Sequence, residues 1–228
     1  MKILITSGGT TENIDSVRGI TNHSTGNLGK IIAERFLNGG HQVTLITTKH
    51  AVKPTAHDNL KIHLISNVDS LLKALEPLVM SHDVLIHSMA VSDYTPVYMT
   101  TLEELEQVDS PAQLLSKRNS ETKISSTSDY QVLFLKKTPK VISLVKEWNP
   151  DICLIGFKLL VNVEKAELFE VARASLAKNH AEFIVANDLR DISSEQHVAY
   201  LVDQTSETRA DSKRNIAEMI YERVISHG

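Results

Sequence analysis

The stretch Met1-Lys2-Ile3-Leu4-Ile5-Thr6-Ser7-Gly8-Gly9-Thr10 decides the fold class of this 228-residue chain. Its apolar run predicts a buried strand, and the small residues that follow predict a tight turn at the carboxyl end of that strand. Residues 29–37 then have the spacing of an amphipathic helix, which Gly39 and Gly40 end. A strand, a glycine-rich turn and a helix in this order are typical of a doubly wound α/β sheet.

The same alternation of strand and helix patterns continues along the chain. It predicts further strands at residues 42–47, 60–65, 84–87, 152–160, 183–186 and 198–202, and helices at 67–80, from Thr138 onward, at 164–179 and at 212–225. Such alternation implies a mostly parallel sheet with right-handed crossovers and helices on both faces. We therefore predict a single Rossmann-like α/β domain over residues 1–228.

The pattern fails between about residue 94 and residue 131. This segment is polar, contains Pro96 and Pro111, and is rich in Ser and Thr. A stretch of this length without regular structure inside a compact domain is usually functional or disordered. We predict a long flap at about 95–131, after the fourth strand, with a regular pattern returning at 132–135.

Composition excludes several functional classes. The formal net charge of −4 argues against a nucleic-acid partner, because an acidic surface repels phosphate backbones. The single cysteine, Cys153, cannot form an internal disulfide, and the ten histidines show no spacing typical of metal ligands, so we expect no metal-ligating residues. No apolar run approaches a membrane span, and no signal peptide is evident, so we expect a cytoplasmic protein with no membrane partner.

The glycine-rich turn favours nucleotide binding. Gly8, Gly9, Ser24, Thr25 and Gly26 are small, so backbone amides there can approach a phosphate, and the helix that follows adds its positive dipole end. A nicotinamide-dependent oxidoreductase of the same fold is the alternative at this point. Such enzymes usually place an acidic residue after the second strand. Here that position has Thr47-Thr48-Lys49, and no Tyr-x-x-x-Lys pair follows the fourth strand.

Five motifs in order resemble those of phosphopantothenate–cysteine ligases. They are residues 5–26 (Ile5-Thr6-Ser7-Gly8-Gly9-Thr10-Thr11-Glu12, Ile14-Asp15-x-Val17-Arg18 and Ile20-Thr21-Asn22-His23-Ser24-Thr25-Gly26), Ala90-Val91-Ser92-Asp93-Tyr94, Lys137-Thr138-Pro139-Lys140-Val141-Ile142, Ile155-Gly156-Phe157-Lys158 and Ala186-Asn187-Asp188. The resemblance covers essentially the whole chain, in the manner of the stand-alone bacterial form. A non-catalytic nucleotide-binding regulator that kept the fold is a further alternative.

The resemblance implies a reaction in coenzyme A biosynthesis. CTP activates the carboxylate of 4'-phosphopantothenate as an acyl-cytidylate with release of pyrophosphate, and the amine of L-cysteine then displaces CMP. It also implies Mg²⁺ with the triphosphate, and a homodimer whose flap or neighbouring strands complete the other subunit's site. The choice between CTP and ATP is not decided by the sequence.

The resemblance also assigns roles to particular residues. Asn22 matches the asparagine tied to turnover of the acyl-nucleotide, and its alternative role is to cap the helix that follows. Lys123 matches the flap lysine that stabilises phosphate charge, with Lys117 and Arg118 as alternatives. Asp93 matches an aspartate that contacts the ribose or base. The remaining predicted nucleotide contacts are Ser88, Met89 (where the family usually has alanine), Ala90, Pro139, Lys140, Val141, Ile142, Phe157, Lys158 and Lys178.

Overall fold

The computed structural model describes residues 1–193 and 196–227. In chain order, the elements are β1 (Lys2–Ser7), β2 (Thr11–Asn13), β3 (Gly19–Thr21), α1 (Asn27–Asn38), β4 (Gln42–Thr48), β5 (Leu60–Ile65), α2 (Val68–Val79), β6 (Val84–His87), β7 (Tyr94–Thr101), α3 (Leu102–Glu106), β8 (Gln131–Lys137), α4 (Val141–Trp148), β9 (Cys153–Leu160), α5 (Lys165–Asn179), β10 (Phe183–Asp188), β11 (Ala199–Val202), β12 (Glu207–Ala210) and α6 (Lys213–His227).

A central sheet of eight strands organises the molecule, in the order β12-β11-β10-β9-β6-β1-β4-β5. The six strands from β10 to β5 pair in parallel, and β11 and β12 extend one edge in antiparallel pairing. Because β1 has β4 on one side and β6 on the other, the direction of winding reverses between β1 and β6. The predicted doubly wound α/β class is confirmed.

Helices cover both faces of the sheet, and each face has its own apolar core. On one face α1 and α6 bury Ile32, Phe36 and Ile220 against the strands. On the other face α2, α4 and α5 bury residues such as Leu71 and Val145. Burial on both faces explains why the central strands are nearly continuous apolar runs rather than alternating ones.

The segment at 94–131 contains more regular structure than the sequence predicts. β7 and β8 form a two-stranded antiparallel ribbon that is separate from the central sheet. The chain between them contains α3, a single 3₁₀ turn at Pro111–Leu114, and a loop. The prediction of an irregular stretch is therefore wrong for β7 and α3. A small hairpin of β2 and β3 also has no counterpart in the sequence prediction.

The helix expected from Thr138 begins three residues later, at Val141. The reason is local, because the N–H and the side chain of Thr138 both bond to the loop that follows β6. Pro139 consequently lies before the helix rather than in its first turn. Among residues 1–193 and 196–227, no helix is long and apolar enough to cross a bilayer.

Candidate active site

The loops that follow β1 and β6 are joined by hydrogen bonds at the carboxyl edge of the sheet. The Ala90 N–H donates to the carbonyl of Gly8 at 2.9 Å, and the Thr10 N–H donates to the carbonyl of Ala90 at 3.0 Å. The hydroxyl of Ser88 donates to the carbonyl of Thr6 at 2.7 Å. These bonds hold the two loops together where the winding reverses, which is where doubly wound sheets bind ligands.

Two glycines in this region meet specific steric demands. Gly26 has a φ of +77°, in the left-handed region that favours glycine. A Cβ on Gly9 would lie 2.4 Å from the carbonyl oxygen of Asn22, so only glycine allows this approach. The close contact brings residues 22–26, including Ser24 and Thr25, against the loop after β1.

Asn22 does not cap α1. The N-cap of α1 is Gly26, and no side chain bonds to the first turn at that position. The Asn22 side chain is exposed and has no hydrogen-bond partner in the part of the chain that the structure describes. The alternative role of Asn22 as a helix cap is therefore wrong. The first amide of α1, that of Asn27, donates to the Thr25 hydroxyl at 3.3 Å, and the first turn lies at the positive end of the helix dipole.

A cavity of about 170 Å³, which we call the strand-end cleft, opens beside these loops at the ends of β6 and β9. Its lining combines apolar side chains with polar and charged ones. It is lined by His87, Met89, Val91, Ser92, Asp93, Pro139, Lys140, Val141, Ile142 and Phe157. Seven of these lining residues were predicted from the sequence as nucleotide contacts. The structure therefore gathers residues from three separate motifs around one cavity.

Hydrogen bonds fix one wall of the strand-end cleft. The Thr138 hydroxyl donates to the Ser92 carbonyl at 2.6 Å, and the Thr138 N–H donates to the Asp93 carbonyl at 2.9 Å. The ammonium group of Lys140 lies 2.7 Å from Oδ1 of Asp93, and both side chains are almost two-thirds exposed. This ion pair marks the mouth of the cleft, where solvent or a polar ligand group can compete for either partner.

His87 is a lining residue that the sequence analysis did not single out. It is the last residue of β6 and is only 7% exposed, and its Nδ1 lies 2.8 Å from the Thr6 hydroxyl. Burial lowers the pKa of its imidazole to about 4, so the ring is neutral at pH 7. The sequence did offer a signal for this residue, because it shows a histidine at the end of an apolar strand, next to the place where the winding of the sheet reverses.

The segment that carries Lys123 is clamped to the loop between β2 and β3. The Ile124 N–H donates to Oδ2 of Asp15 at 3.1 Å, and the Arg18 guanidinium donates to the Ile124 carbonyl at 2.9 Å. The Ser16 N–H donates to the Thr122 carbonyl at 3.0 Å. We call these contacts the flap clamp. They fix the backbone on both sides of Lys123 while its side chain stays exposed.

The other two basic candidates in the flap are engaged elsewhere. The ammonium group of Lys117 lies 2.6 Å from a carboxylate oxygen of Glu104, and this contact raises the pKa of Lys117. The Arg118 guanidinium donates to the carbonyls of Leu115 and Lys117 in its own loop. Lys123, in contrast, has no ion pair within the described residues.

Lys158 and Lys178 have different positions in the fold. Lys158 is half-buried near the carboxyl end of β9, opposite Ala186 of β10, so it lies at the edge of the sheet that carries the cleft. Lys178 is the penultimate residue of α5, which runs back to the start of β10. Its neighbour Asn179 accepts a hydrogen bond at 2.9 Å from the hydroxyl of Ser143, in the first turn of α4. The assignment of Lys178 to a phosphate contact stays a prediction.

Residues 1–227 match the family described as the DNA/pantothenate metabolism flavoprotein C-terminal domain.

The chain belongs to this family.

This chain is similar to the coenzyme A biosynthesis bifunctional protein CoaBC of Thermococcus kodakarensis. It is 31% identical over 227 residues, which cover 98% of this chain and 50% of the relative. This chain thus spans about half the length of the curated relatives that it matches. The family assignment made from the sequence motifs is confirmed.

Solved structures agree with the family assignment. A crystal structure of the DNA/pantothenate metabolism flavoprotein from Streptococcus pneumoniae is 57% identical, with a TM-score of 0.96 and full coverage of both chains. The C-terminal domain of a coenzyme A biosynthesis bifunctional protein CoaBC is 25% identical, with a TM-score of 0.71 over 98% of this chain and 93% of that one. Both likenesses support the α/β architecture described above.

Proposed function

We propose that this chain is a phosphopantothenate–cysteine ligase of coenzyme A biosynthesis. It couples 4'-phosphopantothenate to L-cysteine through an acyl-cytidylate, and converts CTP to CMP and pyrophosphate. The family and the names of its relatives support this proposal. The observation that carries it is the strand-end cleft, because residues of separate ligase-like motifs line one cavity beside the glycine-rich loop after β1.

In this proposal the nucleoside occupies the strand-end cleft and the phosphates extend toward α1. Phe157, Val141 and Ile142 supply apolar walls for a base, and Asp93 lies at the mouth, where a carboxylate can accept hydrogen bonds from ribose hydroxyls. Gly8 and Gly9 let the loop after β1 pack closely against Ala51 and Asn22, beside the first turn of α1, where the triphosphate would bind. Ser88 and Ala90 lie between the strand-end cleft and the loop after β1, and they are hydrogen-bonded to the end of β1 and to that loop, respectively.

Two displacements complete the chemistry. A carboxylate oxygen of 4'-phosphopantothenate attacks the α-phosphorus of CTP, and pyrophosphate leaves with the electron pair of the broken P–O bond. The cysteine amine then attacks the acyl carbon, loses a proton, and CMP leaves. The exposed amide of Asn22 can donate to the acyl oxygen as negative charge develops there, and Lys123 can offset charge on the phosphates.

The flap has a second role in this scheme, which is to exclude water. An acyl-nucleotide is hydrolysable, so the site must be shielded while the intermediate exists. The flap clamp already holds the Lys123 segment against the β2–β3 loop, which leads directly into Asn22. The two catalytic candidates are therefore connected through one short hairpin.

Magnesium accompanies the triphosphate in this proposal. Nowhere in residues 1–193 or 196–227 do three or more His, Cys, Asp or Glu side chains group so as to hold a metal ion. Mg²⁺ in nucleotide sites is usually held by substrate phosphates, waters and at most one or two carboxylates. The residues present fit an ion that arrives with CTP and is held chiefly by its phosphates, where it would neutralise part of their charge.

We also propose that the chain forms a homodimer. Tyr94, Tyr130 and Leu135, in and beside the β7–β8 ribbon, are 51%, 69% and 44% exposed. Tyr94 and Leu135 lie near one end of the ribbon and Tyr130 at the other, and exposed large side chains along an element are typical of an interaction surface. Light scattering on the purified chain tests the assembly, and a concentration-independent monomer mass would contradict it.

The activity is tested by mixing the protein with 4'-phosphopantothenate, L-cysteine, Mg²⁺ and a nucleoside triphosphate. We expect pyrophosphate release that needs both acceptor substrates and is faster with CTP than with ATP. Absence of release with either nucleotide would contradict the ligase proposal. Tight binding of a nicotinamide dinucleotide in the same preparation would favour the oxidoreductase alternative, although β4 ends at Thr48 with no carboxylate to hold the ribose.

A further inference from the structure

Three of the described residues that line the strand-end cleft are titratable: His87, Asp93 and Lys140. Asp93 and Lys140 lie at the mouth, so His87 is the single titratable side chain among them at the inner end. Ser92, the other buried polar residue of the lining, already bonds through its hydroxyl to Thr10. A few fixed polar groups beside apolar side chains orient small ligands in a pocket and distinguish between them. The part of the ligand that reaches His87 is therefore expected to bear a complementary polar atom.

The hydrogen bonds of Thr6 determine which nitrogen of His87 carries the proton. The Met89 N–H donates to the Thr6 hydroxyl oxygen at 3.3 Å, and His87 Nδ1 lies 2.8 Å from the same oxygen. Within the described residues, the Thr6 hydroxyl hydrogen has no acceptor other than Nδ1. Thr6 therefore donates to Nδ1, so a neutral ring must carry its proton on Nε2.

The remaining nitrogen, Nε2, is free to meet a ligand. It has no protein partner in the part of the chain that the structure describes, and it is not among the buried atoms that lack a partner. Together with the position of His87 in the cleft lining, this leaves Nε2–H available to the cavity. Because the His87 side chain as a whole is largely buried, a ligand or water inside the cavity is the partner that can accept this hydrogen bond.

We propose that His87 determines nucleotide specificity by donating a hydrogen bond from Nε2–H to an acceptor atom on the edge of the bound nucleobase. The proposal rests on the proposed function only for the placement of the base in the strand-end cleft. Ring nitrogens and carbonyl oxygens of nucleobases are suitable acceptors. Lys140 and Asp93, at the mouth, contact the ribose side of the same ligand.

The test compares binding of a nucleotide with binding of its phosphates alone. Calorimetry without 4'-phosphopantothenate measures the affinity of wild type and of His87→Phe for CTP, UTP and ATP, and for inorganic triphosphate. We expect His87→Phe to weaken the tightest-binding nucleotide about tenfold, as for loss of one hydrogen bond to a buried acceptor, and to leave inorganic triphosphate unchanged. His63→Phe, an exposed substitution on β5, is the matched control.

Nitrogen-15 NMR of the wild-type ring gives an independent readout if His87→Phe does not fold. At pH 7 we expect Nε2 to be protonated and Nδ1 unprotonated, with the Nε2 signal shifting when the nucleotide is added. A protonated Nδ1 would overturn the proposal. Unchanged nucleotide affinity in a folded His87→Phe would also overturn it, as would an equal loss for nucleotide and inorganic triphosphate.

The outcomes separate this proposal from the ligase proposal. Nucleotide binding that depends on His87 without any pyrophosphate release contradicts the ligase function and supports the role of His87. Full coupling activity together with an unchanged His87→Phe affinity contradicts only the role of His87. Failure of wild type to bind any of the three nucleotides contradicts both.

Discussion

Asp15 and Ile124 are 109 residues apart in sequence, and the Ile124 N–H donates to the Asp15 carboxylate at 3.1 Å. The same carboxylate oxygen lies 2.6 Å from Nη2 of Arg18. The Asp15 side chain is only 1% exposed, and its bonds to Arg18 hold the pKa of Asp15 well below the usual range. One buried carboxylate therefore connects the β2–β3 hairpin with the segment that carries Lys123.

Replacing Asp15 is expected to release the flap rather than to unfold the sheet. Asp15→Ala removes the acceptor for the Ile124 N–H, so hydrogen exchange at 122–124 should become faster while the exchange of β1 stays slow. Because Lys123 would lose its fixed position, kcat should fall between about tenfold and a hundredfold. Asp69→Ala, which breaks the exposed Asp69–Lys73 pair on α2, is the control. Unchanged exchange at 122–124 would show that the clamp does not order the flap.

The internal order of the flap should depend on pH through Glu104. Its bonds to Lys117, and then to Thr100, lower the pKa of Glu104 to about 2. The folded pKa lies below the ordinary glutamate value of about 4.3, so ionised Glu104 stabilises the flap. This stabilisation is complete above that value. It is lost as the pH falls toward 2.

Hydrogen exchange of the α3 amides, measured at a series of pH values below 7, tests this dependence. Each observed rate is compared with the intrinsic exchange rate at the same pH to give the protection. We expect protection to be constant above about pH 5 and to decrease below the ordinary glutamate pKa. Glu104→Gln should lower the protection at neutral pH and flatten the profile. An identical acid profile in Glu104→Gln would assign the change to another group.

Asn22 should affect turnover without affecting folding. Because its side chain is exposed and does not cap α1, Asn22→Ala should leave the melting temperature nearly unchanged. Loss of an oxyanion donor typically slows the chemical step about a hundredfold to a thousandfold. We expect CTP still to bind and acyl-cytidylate to accumulate, as measured by quenched-flow mass spectrometry. Asn38→Ala, at the far end of α1, is the control, and normal turnover in Asn22→Ala would remove Asn22 from the mechanism.

The two flap lysines should respond differently to the same substitution. Lys123→Gln should lower kcat for pyrophosphate release by about a hundredfold, because a charge that offsets the phosphates is lost. Lys117→Gln breaks the pair with Glu104 and should act mainly on flap order. Steady-state kinetics at saturating CTP distinguishes the two effects. A larger loss in Lys117→Gln would transfer the phosphate role to that residue.

Much of the central sheet could be predicted because its signals are local. The apolar runs of β1, β4 and β6, and the glycines that end α1, determine their own elements with little help from distant contacts. The cleft could also be located, because the carboxyl ends of parallel strands meet at one edge. Most of the residues that line it belong to motifs at those ends.

The remaining features depend on contacts between distant residues. β7 has no buried-exposed alternation because it pairs only with β8, away from the sheet, so the pattern that predicts strands is absent. The role of Asp15 depends on Ile124, and that of His87 depends on Thr6.

The measurement that tests the central claim most directly follows oxygen-18 from the carboxylate of 4'-phosphopantothenate. If the carboxylate attacks the α-phosphorus and cysteine later displaces CMP, one labelled oxygen must appear in CMP for each product molecule. Mass spectrometry of the nucleotide after complete conversion with CTP, Mg²⁺ and L-cysteine measures this transfer. We expect singly labelled CMP and unlabelled pyrophosphate. Unlabelled CMP, or CDP with labelled inorganic phosphate, would contradict the acyl-cytidylate mechanism.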